Sequence, residues 1–407
     1  MRIVLGVSAG IAAYKACELL RLLTEAGHRV RVVPTPDSLR FVGEATWAAL
    51  SGQPVAVTPW ESVHEVPHVR LGQEADLVFI APATADLLSR AAAGRSDDLL
   101  TAVLLTARCP VVFAPAMHTE MWEHPATRAN VAVLRERGCI VLEPASGRLT
   151  GPDSGPGRLP DPAELFAVAR RVLARGGADA GVARAGGAGQ AGDLAGRRVV
   201  VSAGGTREEL DPVRYLGNWS SGRQGYALAR TAASRGAAVT LVAANTELPD
   251  PAGVTVARVT STAQLHEAML AAAEAADAIV MAAAPADFRP AVRSDSKIKK
   301  TGAVPDPIVL AENLDILAGL VAARRPGQVI VGFAAETGDV LANGRVKLAR
   351  KGCDLLVVNQ VGNGLAFGTA HNEATVLAAD GAEVKLPRAD KDEIADAIWD
   401  LVAARLS

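Results

Sequence analysis

The stretch VVVSAGGTREELDPVRYLGNWSSGRQG, residues 199–225, is the most informative part of this chain. Its opening valines, Val199–Val201, predict a buried parallel strand, and residues 202–206 predict a loop of small side chains at the carboxyl end of that strand. A second turn of small residues, 220–222, precedes a helix that we expect to run to about Arg235. Open α/β sheets bind ligands at the carboxyl ends of their strands, and N–H groups at a helix N-terminus attract anions.

The side chains between these two turns favour a phosphorylated ligand. Arg207, Arg214 and Asn218 all lie there, although an ordinary strand-to-helix connection does not require them. An ordinary connection in a Rossmann-like domain without a nucleotide is the alternative interpretation. Two turns of small residues with two arginines and an asparagine between them favour a nucleotide or phosphorylated-substrate site.

Residues 203–225, AGGTREELDPVRYLGNWSSGRQG, resemble the signature of phosphopantothenate–cysteine ligases. These ligases form the second half of the bifunctional phosphopantothenoylcysteine decarboxylase/phosphopantothenate–cysteine ligase family. The chain departs from the signature at Gly205 and Glu209, where the family usually has proline, and at Trp219, where it usually has histidine. The resemblance implies an α/β protein with two Rossmann-like parallel-sheet domains, a flavodoxin-like flavoprotein domain followed by a nucleotide-binding ligase domain.

Composition predicts a globular protein of at least two domains. The chain has 407 residues, of which 49% are hydrophobic and 21% charged. Residues 176–192 are rich in Gly and Ala and predict a linker, since they cannot bury enough apolar surface to order themselves. With this linker, the resemblance implies an FMN-dependent decarboxylase domain over residues 1–178, a flexible linker over 179–193 and a CTP-dependent ligase domain over 194–407.

Charge and cysteine content exclude several classes of partner. A net charge of −2 argues against nucleic acid as a partner, because nucleic-acid-binding proteins carry a strongly basic surface. The four cysteines show neither metal-site spacing nor a disulfide framework, which fits a reducing cytoplasm. No apolar run approaches the roughly 18 residues that a membrane helix needs, so we expect no membrane partner.

The first half of the chain predicts a parallel sheet with a mononucleotide site. Apolar strands alternate with helical segments; the strands are expected at Ile3–Val7, Val30–Val33, Asp76–Ile80, Val111–Ala114 and Ile140–Leu142. No GxGxxG motif is present, so FMN fits better than a dinucleotide. Composition alone leaves open whether Ser8, Gly10 and Thr84 bind a cofactor or only cap helices.

Four motifs of this half resemble the flavin-containing cysteine decarboxylases. They are GVSAGIAAYK (6–15), APATADLL (81–88), the run Asp97–Thr101 and PAMHTEMW (115–122). The resemblance implies FMN as cofactor, with Ser8, Gly10, Ile11 and Ala12 at its phosphate and with Thr35 and Thr84 along the flavin. It implies substrate contacts from Met117 and His118, and an active-site histidine at His68. Without the resemblance, a lone histidine outside any clear strand or helix is more often a surface residue.

Two features of the first half depart from that family. His118 stands where the family usually has an asparagine that contacts the substrate carboxylate. Residues 149–151 read Leu-Thr-Gly, where the family usually carries Ala-Cys-Gly with a cysteine that helps to reduce the enethiol intermediate. Near Thr150 the thiol is therefore replaced by another cysteine, for which Cys109 is a weak candidate, by water or by another group. The Gly- and Pro-rich segment 144–158 is expected to act as a mobile clamp over the substrate.

The second half carries a lysine-rich loop, SDSKIKKTG, at residues 294–302. A solvated charge run is the ordinary interpretation of such a loop. Beside a phosphate site it predicts a mobile lid over a triphosphate, since lysine ammonium groups neutralise phosphoryl oxygens. The family motif Lys-X-Lys-Lys is matched by Lys297, Lys299 and Lys300, and the resemblance implies that Lys297 is needed to form the acyl-nucleotide.

Further roles in the second half follow from the resemblance alone. It implies that Asn218 holds an acyl-cytidylate and that Arg214 serves its attack by cysteine. The residues implied for CTP binding are Ala283, Asp287, Leu314, Asp315, Ile316, Leu317, Phe333, Lys347 and Lys351. Metal ligands are not predicted.

The resemblance implies two reactions of coenzyme A synthesis. The C-terminal half would couple 4′-phosphopantothenate with cysteine, using CTP and Mg²⁺, and the N-terminal half would decarboxylate the product to 4′-phosphopantetheine on FMN. Trimers through the flavin domain and dimers through the ligase domain would build a closed assembly such as a dodecamer, with each flavin site at a subunit boundary. The alternative is a flavin-binding redox protein or prenyl-flavin-type transferase fused to a domain that only senses CTP, and pyrophosphate release from CTP with phosphopantothenate would distinguish the two.

Overall fold

The chain forms two compact units, Met1–Gly192 and Asp193–Ser407. The computed structural model describes residues 1–55, 57–58, 66–149, 153–178, 192–299, 307–336, 339–360 and 371–406. Most of the predicted linker, Lys300 and Thr150 lie outside the described residues. No helix among the described residues is long and apolar enough to cross a membrane.

The N-terminal unit is built on a five-stranded parallel sheet. The strands of this unit are β1 (Arg2–Val7), β2 (Arg29–Pro34), β3 (Leu77–Ala83), β4 (Val111–Pro115), β5 (Ile140–Val141), β6 (Ala145–Arg148) and β7 (Ser154–Arg158). The sheet has the order β2-β1-β3-β4-β5, and every neighbouring pair is parallel. This is the flavodoxin-like strand order, so the predicted fold of the first half is confirmed.

Helices cover both faces of this sheet. They are α1 (Ala13–Glu25), α2 (Glu44–Ser51), α3 (Pro67–Glu74), α4 (Ala85–Ala92), α5 (Leu99–Thr106), α6 (Thr119–Glu123), α7 (Pro125–Glu136) and α8 (Pro162–Ala178), with a 3₁₀ turn at Pro36–Arg40. Side chains of β1 alternate between two cores: Ile3 and Leu5 pack into one, and Val4 packs into the other. Burial on both faces explains why the strands are continuous apolar runs in the sequence.

The Gly- and Pro-rich segment after β5 contains regular structure that its composition did not indicate. Strands β6 and β7 pair antiparallel as a hairpin. The N–H of Met117 donates to the carbonyl of Gly157 at 2.9 Å, and the hydroxyl of Thr119 donates to the carbonyl of Pro156, also at 2.9 Å. The hairpin is therefore docked on the turn that follows β4.

The C-terminal unit has a larger sheet and two short ones. Its strands are β8 (Arg198–Gly204), β9 (Arg207–Glu209), β10 (Tyr215–Gly217), β11 (Ala238–Ala244), β12 (Val254–Val259), β13 (Ala278–Met281), β14 (Phe288–Pro290), β15 (Leu310–Glu312), β16 (Val329–Glu336), β17 (Leu355–Gln360), β18 (His371–Ala378) and β19 (Glu383–Asp390). The large sheet has the order β12-β11-β8-β13-β16-β17-β18-β19, and β9-β10 and β14-β15 form separate two-stranded sheets.

The large sheet is parallel from β12 to β17 and antiparallel from β17 to β19. The predicted parallel α/β core is therefore confirmed, and the antiparallel edge is an addition that the sequence did not indicate. The helices are α9 (Arg223–Ser234), α10 (Thr262–Ala273), α11 (Ile316–Ala322), α12 (Val340–Lys351) and α13 (Lys391–Leu406). Val199 and Val201 of β8 pack into the core that contains α9 and α13, and Val200 packs into the core on the other face.

Candidate functional site

A cavity of about 1300 Å³ opens at the carboxyl ends of β1, β3 and β4. The strand order changes direction between β1 and β3, which is where doubly wound sheets bind ligands. The cavity is lined by all the residues predicted for FMN and substrate contacts except His68; they are Ser8, Gly10, Ile11, Ala12, Thr35, Thr84, Met117 and His118.

The N-terminus of α1 forms one wall of this cavity. The residue before the helix, Ala12, provides no side-chain cap. Among the described residues no hydrogen bond from the N–H groups of Gly10, Ile11 or Ala12 is found. Three free N–H groups at the positive end of a helix suit a phosphate.

Ser8 lines the cavity, and its hydroxyl is hydrogen-bonded within the protein. Its hydroxyl donates to the carbonyl of Pro82 at 2.8 Å and accepts from the N–H of Thr84 at 2.9 Å. A serine hydroxyl has a single hydrogen to donate, and here that hydrogen is used within the protein. Ser8 therefore joins the ends of β1 and β3 and shapes the cavity floor.

Thr35 presents a buried hydroxyl without a protein partner. Its side chain lines the cavity and is only 5% exposed, and its Oγ1 has no hydrogen-bond partner among the described residues. A buried polar atom without a partner costs about 1–3 kcal/mol. The structure therefore leaves a hydrogen-bonding group without a protein partner on a residue that lines the cavity.

His118 lies between two carboxylates at the substrate side of the cavity. Its Nδ1 contacts the carboxylate of Glu120, and its Nε2 lies 3.5 Å from the carboxylate of Asp153, which precedes β7. The hydrogen bond to Glu120, with a smaller effect of Asp153, raises the pKa of His118 above its ordinary value. The imidazolium form is therefore favoured in this cavity.

A second cavity, of about 910 Å³, lies at the carboxyl ends of β13, β16 and β17. Every residue predicted for CTP binding lines it: Ala283, Asp287, Leu314, Asp315, Ile316, Leu317, Phe333, Lys347 and Lys351. Asn218 also lines it and donates to the carbonyl of Pro285 at 2.8 Å, which joins the turn after β10 to the loop after β13.

The second turn of small residues forms the wall where α9 begins. Ser220, Ser221 and Gly222 line the cavity, and Gly222 precedes the helix with a φ of 73°. A side chain at this position would bring its Cβ within 2.5 Å of Thr246. Glycine is therefore required both by the left-handed backbone and by the close contact.

Basic side chains of α12 face acidic partners at the edge of this cavity. Lys347 lies 3.9 Å from the carboxylate of Glu336, and Lys351 pairs with Asp315. Asp315 also accepts from the N–H of Ala318 as the N-cap of α11. The two lysines, four residues apart, therefore each have an acidic neighbour, which relieves their mutual repulsion.

Known protein families match both units. The family described as "Flavoprotein" matches residues 1–173, and the family described as "DNA/pantothenate metabolism flavoprotein C-terminal domain" matches residues 194–406. The chain is 60% identical to the Coenzyme A biosynthesis bifunctional protein CoaBC of Mycolicibacterium smegmatis over 100% of this chain and 98% of that protein. It is 40% identical to the protein of the same name of Vibrio cholerae over 98% of this chain and 97% of that protein.

The chain belongs to the CoaBC family. It is therefore a bifunctional enzyme of coenzyme A biosynthesis with a ligase half and a decarboxylase half, and both predicted activities are confirmed. The first half is a flavoprotein domain, so the prediction that it uses a flavin cofactor is confirmed.

Solved structures of related proteins each cover one half of this chain. The crystal structure of the C-terminal domain of a CoaBC protein is 33% identical, covers 53% of this chain and 98% of its own, and has a TM-score of 0.45. A PPC decarboxylase variant complexed with pantothenoylaminoethenethiol is 30% identical, covers 42% of this chain and 96% of its own, and has a TM-score of 0.39.

His68 is the predicted decarboxylase residue that does not line the 1300 Å³ cavity. It lies on α3, so the expectation that it lies outside any helix is wrong. Its carbonyl accepts a hydrogen bond from the hydroxyl of Thr106 at 2.8 Å, and its buried Nδ1 has no partner among the described residues. The imidazole does not line the 1300 Å³ cavity of its own chain.

The four cysteines lie away from the cavity where the family thiol is expected. None of the four cysteines lines the 1300 Å³ cavity. Burial raises the pKa of the Cys109 thiol to about 11. Cys109 is partly buried and packs against the hydrophobic core on one face of the sheet.

Two predicted ligase residues, Arg214 and Lys297, lie outside the 910 Å³ cavity. They occupy one neighbourhood, because the guanidinium of Arg214 donates to the carbonyl of Ile298 at 2.7 Å. Arg207 is also outside the cavity and stacks over the ring of Tyr215 at 4.7 Å. Of the three anion-binding side chains that the sequence singled out between the two turns, Asn218 lines the cavity, whereas Arg207 and Arg214 do not.

Sequence reasoning missed several polar residues of the CoaBC cavities. Asn359 lines the 910 Å³ cavity, and its buried Oδ1 has no partner among the described residues. Lys391 lines the same cavity, and burial lowers its pKa. In the other cavity, Arg90 pairs with the carboxylates of Asp86, Asp97 and Asp98. In the sequence, Asn359 could have been found from its position at the end of a predicted strand. Arg90 could have been found from its nearness to the motif Asp97–Thr101, with which it pairs.

Among the described residues, no group of three or more His, Cys, Asp or Glu side chains could hold a metal ion.

Proposed function

We propose that the 910 Å³ cavity is the CTP site of the ligase reaction and that Lys297 takes part in forming the acyl-cytidylate. The observation that carries the proposal is that all nine residues implied for CTP, with Asn218, line one cavity. Lys347, Arg350 and Lys351 of α12 bring positive charge to its edge, as a triphosphate requires. This arrangement is more than a plain strand-to-helix connection needs.

The chemistry of the ligase half is activation of a poor electrophile. The carboxylate of 4′-phosphopantothenate resists attack by cysteine until a cytidylyl group is attached to it. Positioned cations stabilise the charge that develops on the phosphoryl oxygens. Mg²⁺ would bind with the triphosphate, because magnesium in nucleotide sites is held largely by phosphate oxygens and water. Asn218, which its bond to Pro285 holds in place, would contact the acyl-cytidylate.

FMN fits the 1300 Å³ cavity. The N–H groups of Gly10, Ile11 and Ala12 would hold its phosphate, and the free hydroxyl of Thr35 would hydrogen-bond to it. When bound, FMN supplies a two-electron oxidant for the substrate thiol, which makes loss of CO₂ feasible. Ser8 and Thr84 would shape the site through their mutual hydrogen bond.

His118 would bind the substrate carboxylate and return a proton to the same carbon. It stands where the family usually has an asparagine, and its imidazolium can donate to a carboxylate. A group that holds the carboxylate lies next to the carbon that loses it. Among the described residues of this cavity, His118 is the side chain whose ordinary pKa lies nearest neutrality, so it is the best general acid available.

His68 would act in the flavin site of a neighbouring copy. Its own chain does not bring it to the 1300 Å³ cavity, and the predicted trimer places that site at a subunit boundary. Ile11, Tyr14 and Met121 line the cavity although they are 78%, 62% and 49% exposed, which suits a boundary covered by another copy. Mixing a His68→Asn chain with a His118→Asn chain should restore decarboxylation in mixed oligomers, because some sites then receive both histidines. Failure to restore any activity would contradict this role.

Dimers through the ligase half are supported by an exposed apolar surface. Strand β14 contacts both β9 and β10, so the two short sheets lie side by side. They and their flanks expose apolar side chains: Val213, Tyr215, Val292, Val309 and Leu310. A dodecamer of trimers and dimers remains our proposed assembly. We also propose a cytoplasmic location, which four free cysteines support.

Pyrophosphate release tests the ligase proposal directly. The full chain, mixed with CTP, Mg²⁺ and 4′-phosphopantothenate without cysteine, should release pyrophosphate as the acyl-cytidylate forms. The Lys297→Gln variant should lose this activity, whereas Lys385→Gln, on an exposed position of β19, should keep it. CTP binding without pyrophosphate release would instead support a nucleotide-sensing domain.

A further inference from the structure

The loop that carries Lys297 is held at the residue next to it. The N–H of Ile298 donates to Oδ2 of Asp211 at 3.1 Å, and its carbonyl accepts from the guanidinium of Arg214 at 2.7 Å. Both backbone polar groups of Ile298 are therefore bound by one acid–base pair. Because Lys297 and Lys299 flank Ile298, these two bonds fix the backbone of both lysines.

The two carboxylate oxygens of Asp211 accept separate sets of hydrogen bonds. Oδ1 accepts from the N–H groups of Val213 and Arg214, each at 2.8 Å, and so shapes the local turn. Oδ2 accepts from Nε of Arg214 at 2.9 Å and from Ile298. The Asp211 side chain is completely buried, and its hydrogen bonds, with that from Arg214 the strongest, hold its pKa well below the usual range. The carboxylate is therefore ionised at any pH at which the enzyme works.

The start of the loop is docked on the same segment. The N–H of Ser294 donates to the carbonyl of Leu210 at 3.0 Å, and Arg293 pairs with Glu209 at 2.6 Å. The side chains of Lys297 and Lys299 are exposed, and neither has an ion-pair partner among the described residues. The loop backbone is thus held at Ser294 and at Ile298, while the ammonium groups of the two lysines stay available. Pre-organisation of this kind lowers the entropy cost of using the lysines.

We propose that Asp211 is a positioning residue of the ligase reaction: it docks the loop Arg293–Lys299 through Ile298, with Arg214 as its partner, and so places Lys297 for the triphosphate. This inference rests on the proposed function of Lys297. It also gives Arg214 an indirect role, since its guanidinium donates to Oδ2 of Asp211 from both Nε and Nη2, and to the carbonyl of Ile298 from Nη2. Arg214 acts on the reaction through the loop and is a positioning residue as well.

Asp211→Asn is the most selective test of this role. The new amide oxygen can take the place of Oδ1 and keep the local turn, whereas the amide N–H groups would then face the donors of Arg214 and Ile298. The loop should undock while the unit stays folded. Docking is read by tryptic cleavage of the bond between Lys297 and Ile298, which should accelerate by roughly 10- to 100-fold when charge-assisted hydrogen bonds are lost. Pyrophosphate release should slow by a similar factor.

Two further variants keep the test interpretable. Asp295→Asn removes a carboxylate from the same loop; Asp295 is 98% exposed and lies 3.4 Å from Arg293, whose guanidinium still pairs with Glu209, so neither rate should change. Arg214→Lys keeps the positive charge but loses the planar guanidinium, whose several N–H groups donate to Asp211 and Ile298 at the same time. Because the Arg214 side chain is 48% exposed, this change should leave thermal unfolding unaltered while it accelerates cleavage.

The outcomes separate this inference from the proposed function. Faster cleavage and slower pyrophosphate release in Asp211→Asn and Arg214→Lys, with neither in Asp295→Asn, would support the inference. Unchanged cleavage in the folded Asp211→Asn variant would overturn it, as would faster cleavage with a normal rate of pyrophosphate release. If the unmodified chain releases no pyrophosphate from CTP and 4′-phosphopantothenate, the proposed function fails, whereas the cleavage rates still test the docking.

Discussion

The hydroxyl of Thr35 gives a prediction with opposite signs for stability and for cofactor binding. In the flavin-free protein this buried hydroxyl has no partner among the described residues, which costs about 1–3 kcal/mol. Thr35→Val removes the hydroxyl and keeps a β-branched side chain of similar shape. We therefore expect the flavin-free N-terminal unit to gain about 1 kcal/mol of unfolding free energy, which for a unit of this size raises its Tm by roughly 2–4 °C.

Binding of FMN should change in the other direction. The same substitution removes a hydrogen bond worth about 1 kcal/mol, so the Kd for FMN should rise about five- to ten-fold. Thermal unfolding of the flavin-free protein measures the first effect, and titration with FMN, followed by quenching of flavin fluorescence, measures the second. Together the two measurements distinguish a hydroxyl that hydrogen-bonds to FMN from one that stays unpaired with and without FMN.

Thr106→Val is the matched control. The hydroxyl of Thr106 is already bonded to the carbonyl of His68 at 2.8 Å, so its removal should lower the stability of the flavin-free protein. The reasoning is refuted if Thr35→Val destabilises the flavin-free protein as Thr106→Val does, or if FMN affinity is unaltered. Either result would mean that the Thr35 hydroxyl is not held for the cofactor.

Further predictions concern His118 and Asn359. Glu120 raises the pKa of His118, so decarboxylation should fall as the pH rises through that pKa; in Glu120→Gln the pKa drops and the fall in the pH–rate profile should move to lower pH, whereas an unmoved profile would count against His118 as the acid. His118→Asn should accumulate the oxidised enethiol product, seen by mass spectrometry, while pyrophosphate release continues at its normal rate. Asn359→Leu should raise the KM for CTP by about five- to ten-fold without lowering Tm, because its unpartnered buried Oδ1 contributes no stability in the free protein; an unchanged KM would place that oxygen outside nucleotide recognition.

The buried parallel strands could be predicted closely from the sequence because both of their faces are covered. Val199–Val201 and residues 278–281 are uninterrupted apolar runs, and the structure places β8 and β13 there. Strand β19 was missed because it lies at the sheet edge, where exposed polar side chains alternate with buried ones and a proline interrupts the pattern. Short sheets such as β9-β10 depend on pairing between segments, which a local pattern does not reveal.

The candidate sites could be predicted where they depend on strand ends and not where they depend on contacts between segments. Parallel strands bring their carboxyl ends to one edge, so Thr35 after β2 lines the first cavity, and Ala283 after β13 and Phe333 of β16 line the second, as expected. The position of Arg214 depends instead on Ile298, which is 84 residues away in the chain. The helix that carries His68 begins after Val66, whose left-handed φ of 47° is uncommon for a β-branched residue and was not predicted.

The charges of the ligase cavity explain why a separate basic loop is needed. Of the residues that the structure describes, five basic side chains line the 910 Å³ cavity, Arg223, Lys347, Arg350, Lys351 and Lys391, against three acidic ones, Asp287, Glu312 and Asp315. The surplus of two positive charges is smaller than the charge of a triphosphate, since each phosphate carries at least one negative charge at neutral pH. Mg²⁺ and the ammonium groups of Lys297 and Lys299 would supply the remainder. Cations held permanently inside the cavity would repel one another and lose hydration before the nucleotide arrives, whereas cations on a docked surface loop stay solvated until they are used. Docking through Ile298, held by Asp211 and Arg214, keeps these cations close to the site while they remain in solvent.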